Sequence, residues 1–398
     1  MKRAPQTRTA AKTPAKTPAA GKKPQASAAP VRPSAAAPVR PSLHSGDPAP
    51  WFRAPTTTTE RFTFDTVGGR IVAMLFYGLA AAPPAAAALR QVQQARDLFD
   101  DVTMCFFGVT VDPGDAASGR IAEQVPGIRH FIDADRAVST LYGRVAGDGA
   151  DASYAPLWVV LDQTLRVLFT APIDQTARVL DRLAELREAP PLTVPAPVLV
   201  VPRVLEEGIC RTLVDLYQRQ GGETSGFMRE IDGRTVAVQD SAFKRRADCP
   251  IEDEGLRNQL RLRIQRRLVP EIRKAFQFEA TRIERYIVAC YDGEEKGFFR
   301  AHRDNTTPGT AHRRFAVTIN LNAEDYDGGN LRFPEFGTQT FRAPTGGAVV
   351  FSCGLLHEAQ PVTRGRRYAF LPFLYDESGA KIREQNQHLV DLSTRREG

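Results

Sequence analysis

The stretch Phe298-Phe299-Arg300-Ala301-His302-Arg303-Asp304 reads as extended chain and sets a histidine and an aspartate two residues apart. In a strand, residues i and i+2 face the same side, so His302 and Asp304 project together. His357 follows 53 positions after Asp304. Coming from a distant strand, it can close a face of three ligands, two imidazoles and one carboxylate. Such a face leaves octahedral positions open and suits non-haem Fe(II) and O2. Two other readings of the same residues stand beside this one: core histidines with a turn aspartate, and a barrel that holds zinc without oxygen chemistry.

Working outward, the chain from Arg285 onward breaks into short strands at 285–291, 298–304, 314–321, 330–333, 338–343, 347–352, 357–362 and 366–375. Turn residues separate most of them: Asp292-Gly293, Gly328-Gly329 and Pro344-Thr345-Gly346-Gly347. Eight short strands at this spacing predict a double-sheet jelly roll. Arg367 lies ten positions after His357, and a guanidinium at the inner end of a barrel offers a forked donor for a carboxylate. Arg364 and Arg366 compete for that role, and alternation turns only Arg366 or Arg367 inward. Cys290 and Cys353 fall in barrel strands and read as packing residues.

The motifs Val288-Ala289-Cys290-Tyr291-Asp292-Gly293, Gly297 to Asn305, Asn320-Leu321-Asn322, Gly328-Gly329-Asn330-Leu331 and His357-Glu358-Ala359-Gln360-Pro361 carry a resemblance. Over residues 195–378 the chain resembles prolyl-4-hydroxylase-type 2-oxoglutarate/Fe(II) oxygenases. The resemblance implies that His302, Asp304 and His357 hold Fe(II). It implies that Arg367 grips the distal carboxylate of 2-oxoglutarate and that Tyr291 lines the same pocket. No catalytic residue is implied beyond the metal ligands. O2 would be the second co-substrate and ascorbate the reductant, and a prolyl or other side chain of a protein or peptide would be hydroxylated. Some relatives place a second aromatic where Asn320 stands. The alternative function is a non-catalytic adaptor whose barrel senses metal or a 2-oxo acid.

Upstream, Pro190, Pro191, Pro195, Pro197 and Pro202 mark a seam, and Ile209, Leu213, Leu216 and Tyr217 give a helical face over 206–218. Leu256, Leu260, Ile264, Leu268 and Ile272 step every four residues, with Pro270 expected to split them into two helices. The arginines between them read as solvated helix faces. Residues 221–250, polar and glycine-containing, read as a mobile surface loop or a substrate-entry lid.

Residues 46–190 alternate strands (70–77, 102–111, 157–161, 165–169) with helices (85–99, 173–186), which argues an α/β layer structure. Gly46-Asp47-Pro48-Ala49-Pro50, Gly108-Val109-Thr110-Val111-Asp112 and Asp133-Ala134-Asp135-Arg136-Ala137 make this segment similar to a peroxiredoxin or redoxin domain of thioredoxin fold. Ala155-Pro156 stands where that fold usually has a cis-proline. The family's peroxidatic cysteine would fall in Gly78-Leu79-Ala80-Ala81-Ala82-Pro83-Pro84, which has no thiol. Peroxide chemistry needs an activated thiolate, and Cys105, inside an apolar strand, is no substitute. The domain is predicted to be redox-dead, a scaffold or partner-binding module.

The net charge of +7 belongs to the N-terminal tail: residues 1–45 hold nine basic groups and no acidic one, leaving 44 against 46 in the remainder. That weakens a nucleic-acid-gripping fold. With eight prolines, the tail reads as disordered: a solvated tether, or a weak polyanion contact by counterion release. Five scattered cysteines without a CxxC pair fit a reducing cytoplasm. No apolar run predicts a membrane span or secretory signal. His44, His130, His312 and His388 read as surface residues, His312 also as a substrate contact, and 379–398 as a C-terminal tail.

Overall fold

Residues 43–147, 153–190 and 193–396 are described by this computed structural model. The expected basic tail lies outside them, up to residue 42.

Ile71–Gly78 and Met104–Thr110 are almost wholly apolar and buried throughout, as strands covered on both faces must be. They pair in parallel at the centre of a five-stranded sheet, in the spatial order 128–132, 104–110, 71–78, 157–161, 167–172. Alternation sends Ala73, Leu75 and Tyr77 to one face, where helices Pro83–Gln94 and Thr176–Glu188 pack through Ala88, Val92, Val179 and Leu183. Val72, Met74 and Phe76 face the other way, against Phe64 and Tyr142. This is the predicted thioredoxin-like layer. The Ala155–Pro156 bond is trans; among the described residues the cis bond is Val125–Pro126.

The C-terminal half is the expected jelly roll. One sheet runs in the order 199–201, 348–352, 315–320, 366–370, 287–292, 247–250, 223–224; the facing sheet holds 244–245, 298–302, 357–359, 331–332 and 340–341. Ala289, Tyr291, Ala316, Phe351 and Ala369 point between the sheets, toward Phe299, Leu331 and Ala359. Val288, Cys290, Val317 and Ile319 point out, where Leu213, Leu260, Ile264 and Ile272 of the helices cover them. The strand expected over 285–291 is broken at Arg285, whose φ is +67°, into Arg282–Glu284 and Ile287–Asp292.

As expected, the run forms two α-helices: Glu254–Arg263 passes through a π-helical turn at Ile264–Leu268 into Val269–Phe276, and Pro270 sits in the first turn of the second. Three expectations need correction. Residues 221–250 are no loose loop; they form the hairpin Phe227–Ile231/Arg234–Gln239 and the strand Ala247–Pro250. Residues 379–396 are no loose tail: helix Glu377–Asn386 leads into Val390–Arg396, which pairs in parallel with Arg234–Gln239. His130 and His312 are buried, not surface residues. His130 fits because Gly108 leaves it room, since a Cβ there would sit 2.3 Å from the imidazole Nδ1.

The two domains meet closely. Gly69, at φ +93°, leaves no space for a side chain: its Cβ would fall 2.4 Å from that of Pro334. Beside it Arg303 reaches from the barrel to Asp65 at 3.2 Å and to Glu335 at 2.8 Å.

Candidate metal centre

His302 ends the strand Phe298–His302 and His357 begins His357–Ala359; the two are register partners across the antiparallel pair. Asp304 follows one turn position later, its N–H held 2.9 Å from the carbonyl of Cys353. One ligand atom from each residue falls within 4.8 Å of the others. His302 Nε2 is 3.6 Å, and His357 Nε2 3.4 Å, from the Asp304 carboxylate. Each ring is oriented through its other nitrogen: His302 Nδ1 lies 2.7 Å from the Arg300 carbonyl and His357 Nδ1 3.0 Å from that of Leu355. A carbonyl only accepts, so the Nδ1 atoms carry protons and the Nε2 lone pairs face inward. Burial pushes the His357 imidazole down to about 4, with His302 adding to the effect. Burial alone would raise the Asp304 carboxyl, but His357 and His302 outweigh it and hold it well below the carboxylate range. Two inward-facing imidazole Nε2 atoms around a carboxylate make a donor set for a divalent cation.

Of the three competing arginines, only Arg367 points inward. Arg364 pairs with Asp327 and Arg366 with Asp292 at the exposed rim. Arg367 is 2% exposed, and its Nε and Nη1 have no hydrogen-bond partner. It is the register partner of Tyr291, and its guanidinium lies 4.9 Å from that ring's centroid. A buried cation with two idle donors is costly unless an anion completes it. A carboxylate fits that need. A side pocket of about 50 Å³ joins the metal face to Tyr291, Thr318, Arg246 and Arg285. Asn320 is buried but turned elsewhere, its amide donating to the Ala343 carbonyl at 2.7 Å.

Sequence reasoning missed Arg246, Asp248 and Arg285. Arg246 ion-pairs with Asp248 at 2.6 Å and donates to the Tyr291 hydroxyl at 3.4 Å. The Lys244-Arg245-Arg246 run was the available signal, hidden inside the segment read as a loop. His312 is not turned to a substrate; its Nε2 is 2.6 Å from Glu284, which also holds Arg313.

In the N-terminal domain, a buried carboxylate sits against the stretch Gly78 to Pro84. Asp115, fully buried, accepts from the Ala80 N–H at 2.9 Å and from Thr110 Oγ1 at 2.6 Å. Burial pushes the Cys105 thiol up to about 12.

A jelly-roll barrel with a two-histidine, one-aspartate face is joined to a redoxin-like layer whose one cysteine, Cys105, is buried. The chain carries two family domains: residues 286–375 match the 2OG-Fe(II) oxygenase superfamily and residues 45–171 the AhpC/TSA family. Among known proteins it is similar to a PKHD-type hydroxylase of Synechococcus sp. (strain JA-2-3B'a(2-13)), 30% identical over 29% of this chain and 52% of the relative. It is also similar to the PKHD-type hydroxylase PiuC of Pseudomonas aeruginosa, 36% identical over 25% of this chain and 46% of the relative. The chain thus spans about half the length of these relatives. Among solved structures, a Pseudomonas putida prolyl-4-hydroxylase aligns at 21% identity and TM-score 0.33, covering 50% of this chain and 97% of that one. The peroxidoxin BcpB of Mycobacterium tuberculosis aligns at 20% identity and TM-score 0.31, covering 37% and 99%. No helix of the described residues is long and apolar enough to cross a membrane.

Proposed function

We propose that the protein is a 2-oxoglutarate- and Fe(II)-dependent dioxygenase that hydroxylates a prolyl or other side chain of a peptide or protein. The observation that carries this reading is the pairing, inside one barrel, of the three-ligand face with the buried, unpartnered guanidinium of Arg367. His302, Asp304 and His357 would hold Fe(II), and Arg367 would take the distal carboxylate of 2-oxoglutarate over the Tyr291 ring. When bound, iron with 2-oxoglutarate and O2 supplies an oxidative decarboxylation that drives oxidation of a C–H bond, with ascorbate as reductant.

The chain's own contribution is binding and order. The carbonyls of Arg300 and Leu355 fix both imidazoles before metal arrives. Arg246 and Tyr291 keep the inner pocket polar at one end, while Phe351, Leu371 and Phe373 dry the rest. Free cysteines at all five positions support a reducing, cytoplasmic setting.

The test is succinate formation from 2-oxoglutarate by the purified full chain with Fe(II), alone and with proline-containing peptides. His302→Ala should abolish it. A wild-type protein that binds Mn(II) and 2-oxoglutarate yet releases no succinate under any of these conditions is an adaptor, and the enzyme reading fails.

A further inference from the structure

The metal face opens into a cleft of about 1120 Å³ with walls from both domains. One wall is the strand Phe227–Ile231 and its flanks. The other is the redoxin-domain segment 58–66, and His302 and Asp304 lie between them. The cleft exceeds the roughly 300–1,000 Å³ of ordinary small-molecule sites. Phe227–Ile231 is the outer member of a three-stranded sheet; its far edge pairs with no strand among the described residues. An unpaired edge is a template for an extended polypeptide.

The redoxin domain fixes that edge in place. Glu230, in the middle of the strand, is held by Arg53 at 2.5 Å and by Arg61 at 3.0 Å. Arg53 also donates to the Thr306 carbonyl at 3.0 Å, two residues beyond Asp304. A domain whose one cysteine is buried therefore holds both the strand, through the Glu230 side chain, and the loop that follows the metal ligands, through the Thr306 carbonyl.

We propose that the redoxin-like domain is the second wall of the substrate site: an extended polypeptide lies between the edge of Phe227–Ile231 and segment 58–66, across the metal face. This rests on the proposed function for the identity of the reaction, and it assigns the N-terminal domain a substrate-positioning role.

The test uses the full chain loaded with Mn(II) and 2-oxoglutarate, and a fluorescein-labelled pool of linear 15-residue peptides with a central proline, read by anisotropy. The expected result is saturable binding, a dissociation constant at least tenfold weaker in Arg61→Glu, recovery to within threefold in Arg61→Lys, and no competition by the same pool cyclised head to tail. Photocrosslinking of the pool from a benzophenone amino acid at Thr59, in otherwise wild-type protein, guards against a misfolded variant and should label the peptide. The proposal is overturned if the pool fails to bind, if Arg61→Glu binds unchanged while Thr59 captures nothing, if cyclised peptides compete equally, or if single-stranded DNA displaces the pool at lower concentration. None of these readouts needs turnover. Absent binding with succinate still formed removes only this proposal, and binding without succinate removes only the enzymatic reading.

Discussion

Arg303 and Asp65 are 238 positions apart in the chain and 3.2 Å apart in space. Arg303 stands between His302 and Asp304, so the residue separating two of the three cluster members is anchored in the other domain. The guanidinium also bonds Glu335 and the Gly354 carbonyl and lies 4.4 Å from the Trp51 ring centroid.

Arg303→Ala should therefore be the most damaging surface-remote change in the barrel. It leaves Asp65 and Glu335 buried together without a cation, a loss of about 3–5 kcal/mol. Urea unfolding of the full chain measures it. A midpoint equal to wild type would show that the bridge contributes nothing.

Arg367→Ala should weaken 2-oxoglutarate binding by about thirtyfold or more, the effect of about 2–5 kcal/mol lost when a buried charge pair is cut. Arg367→Lys keeps the charge but loses the fork, and about tenfold is expected from one charged hydrogen bond. Titration calorimetry with Mn(II) in place of Fe(II) reads both. Arg364→Ala, at the rim, should change neither value by more than about twofold, as surface pairs of roughly 0–1 kcal/mol predict.

His130 gives the fold an acid sensitivity of its own. Burial pushes its imidazole down to about 4, against about 6.5 in the unfolded chain. Between those values the unfolded chain binds the proton and the folded one does not. Stability is therefore full above about pH 6.5, falls as pH drops toward 4, and flattens below, by up to about 1.4 kcal/mol per pH unit from this residue. His130→Gln should flatten that slope in unfolding curves taken from pH 7 to 4.5; an unchanged slope would assign the proton elsewhere.

All five cysteines are buried. Ellman's reagent should find no fast-reacting thiol in the native protein and five after denaturation. Thiol-dependent peroxide reduction should be absent, and measurable turnover of hydrogen peroxide would contradict the redox-dead reading.

The readable parts of this chain were those governed by local rules. His302 and Asp304 stand two positions apart in one short stretch, although the strand ends at His302 and Asp304 lies in the turn beyond it; Met104–Thr110 is a single buried run, so each was legible from its neighbours. Alternation set Arg364 aside and the resemblance favoured Arg367; burial, which depends on where the strand lies in the sheet, separates Arg367 from the exposed Arg366. Asp65 was invisible because it meets Arg303 only after two domains have docked, and Glu335 because it meets Arg303 only once the barrel has closed. Residues 221–250 looked like a loop because an edge hairpin lining a cleft needs few apolar residues.

Val390–Arg396 is the last strand described, yet it braces Arg234–Gln239, an element made some 150 positions earlier. Order of synthesis and order in space disagree here. The redoxin layer can close as soon as it emerges, since its strands lie together in the chain, in keeping with domains folding in turn from the N-terminus. The hairpin that forms the opposite side of the cleft gains its third strand only when Val390–Arg396 has been made. A chain interrupted before it would carry the metal ligands and the redoxin domain, with that wall held to the redoxin domain through Glu230 but without its third strand.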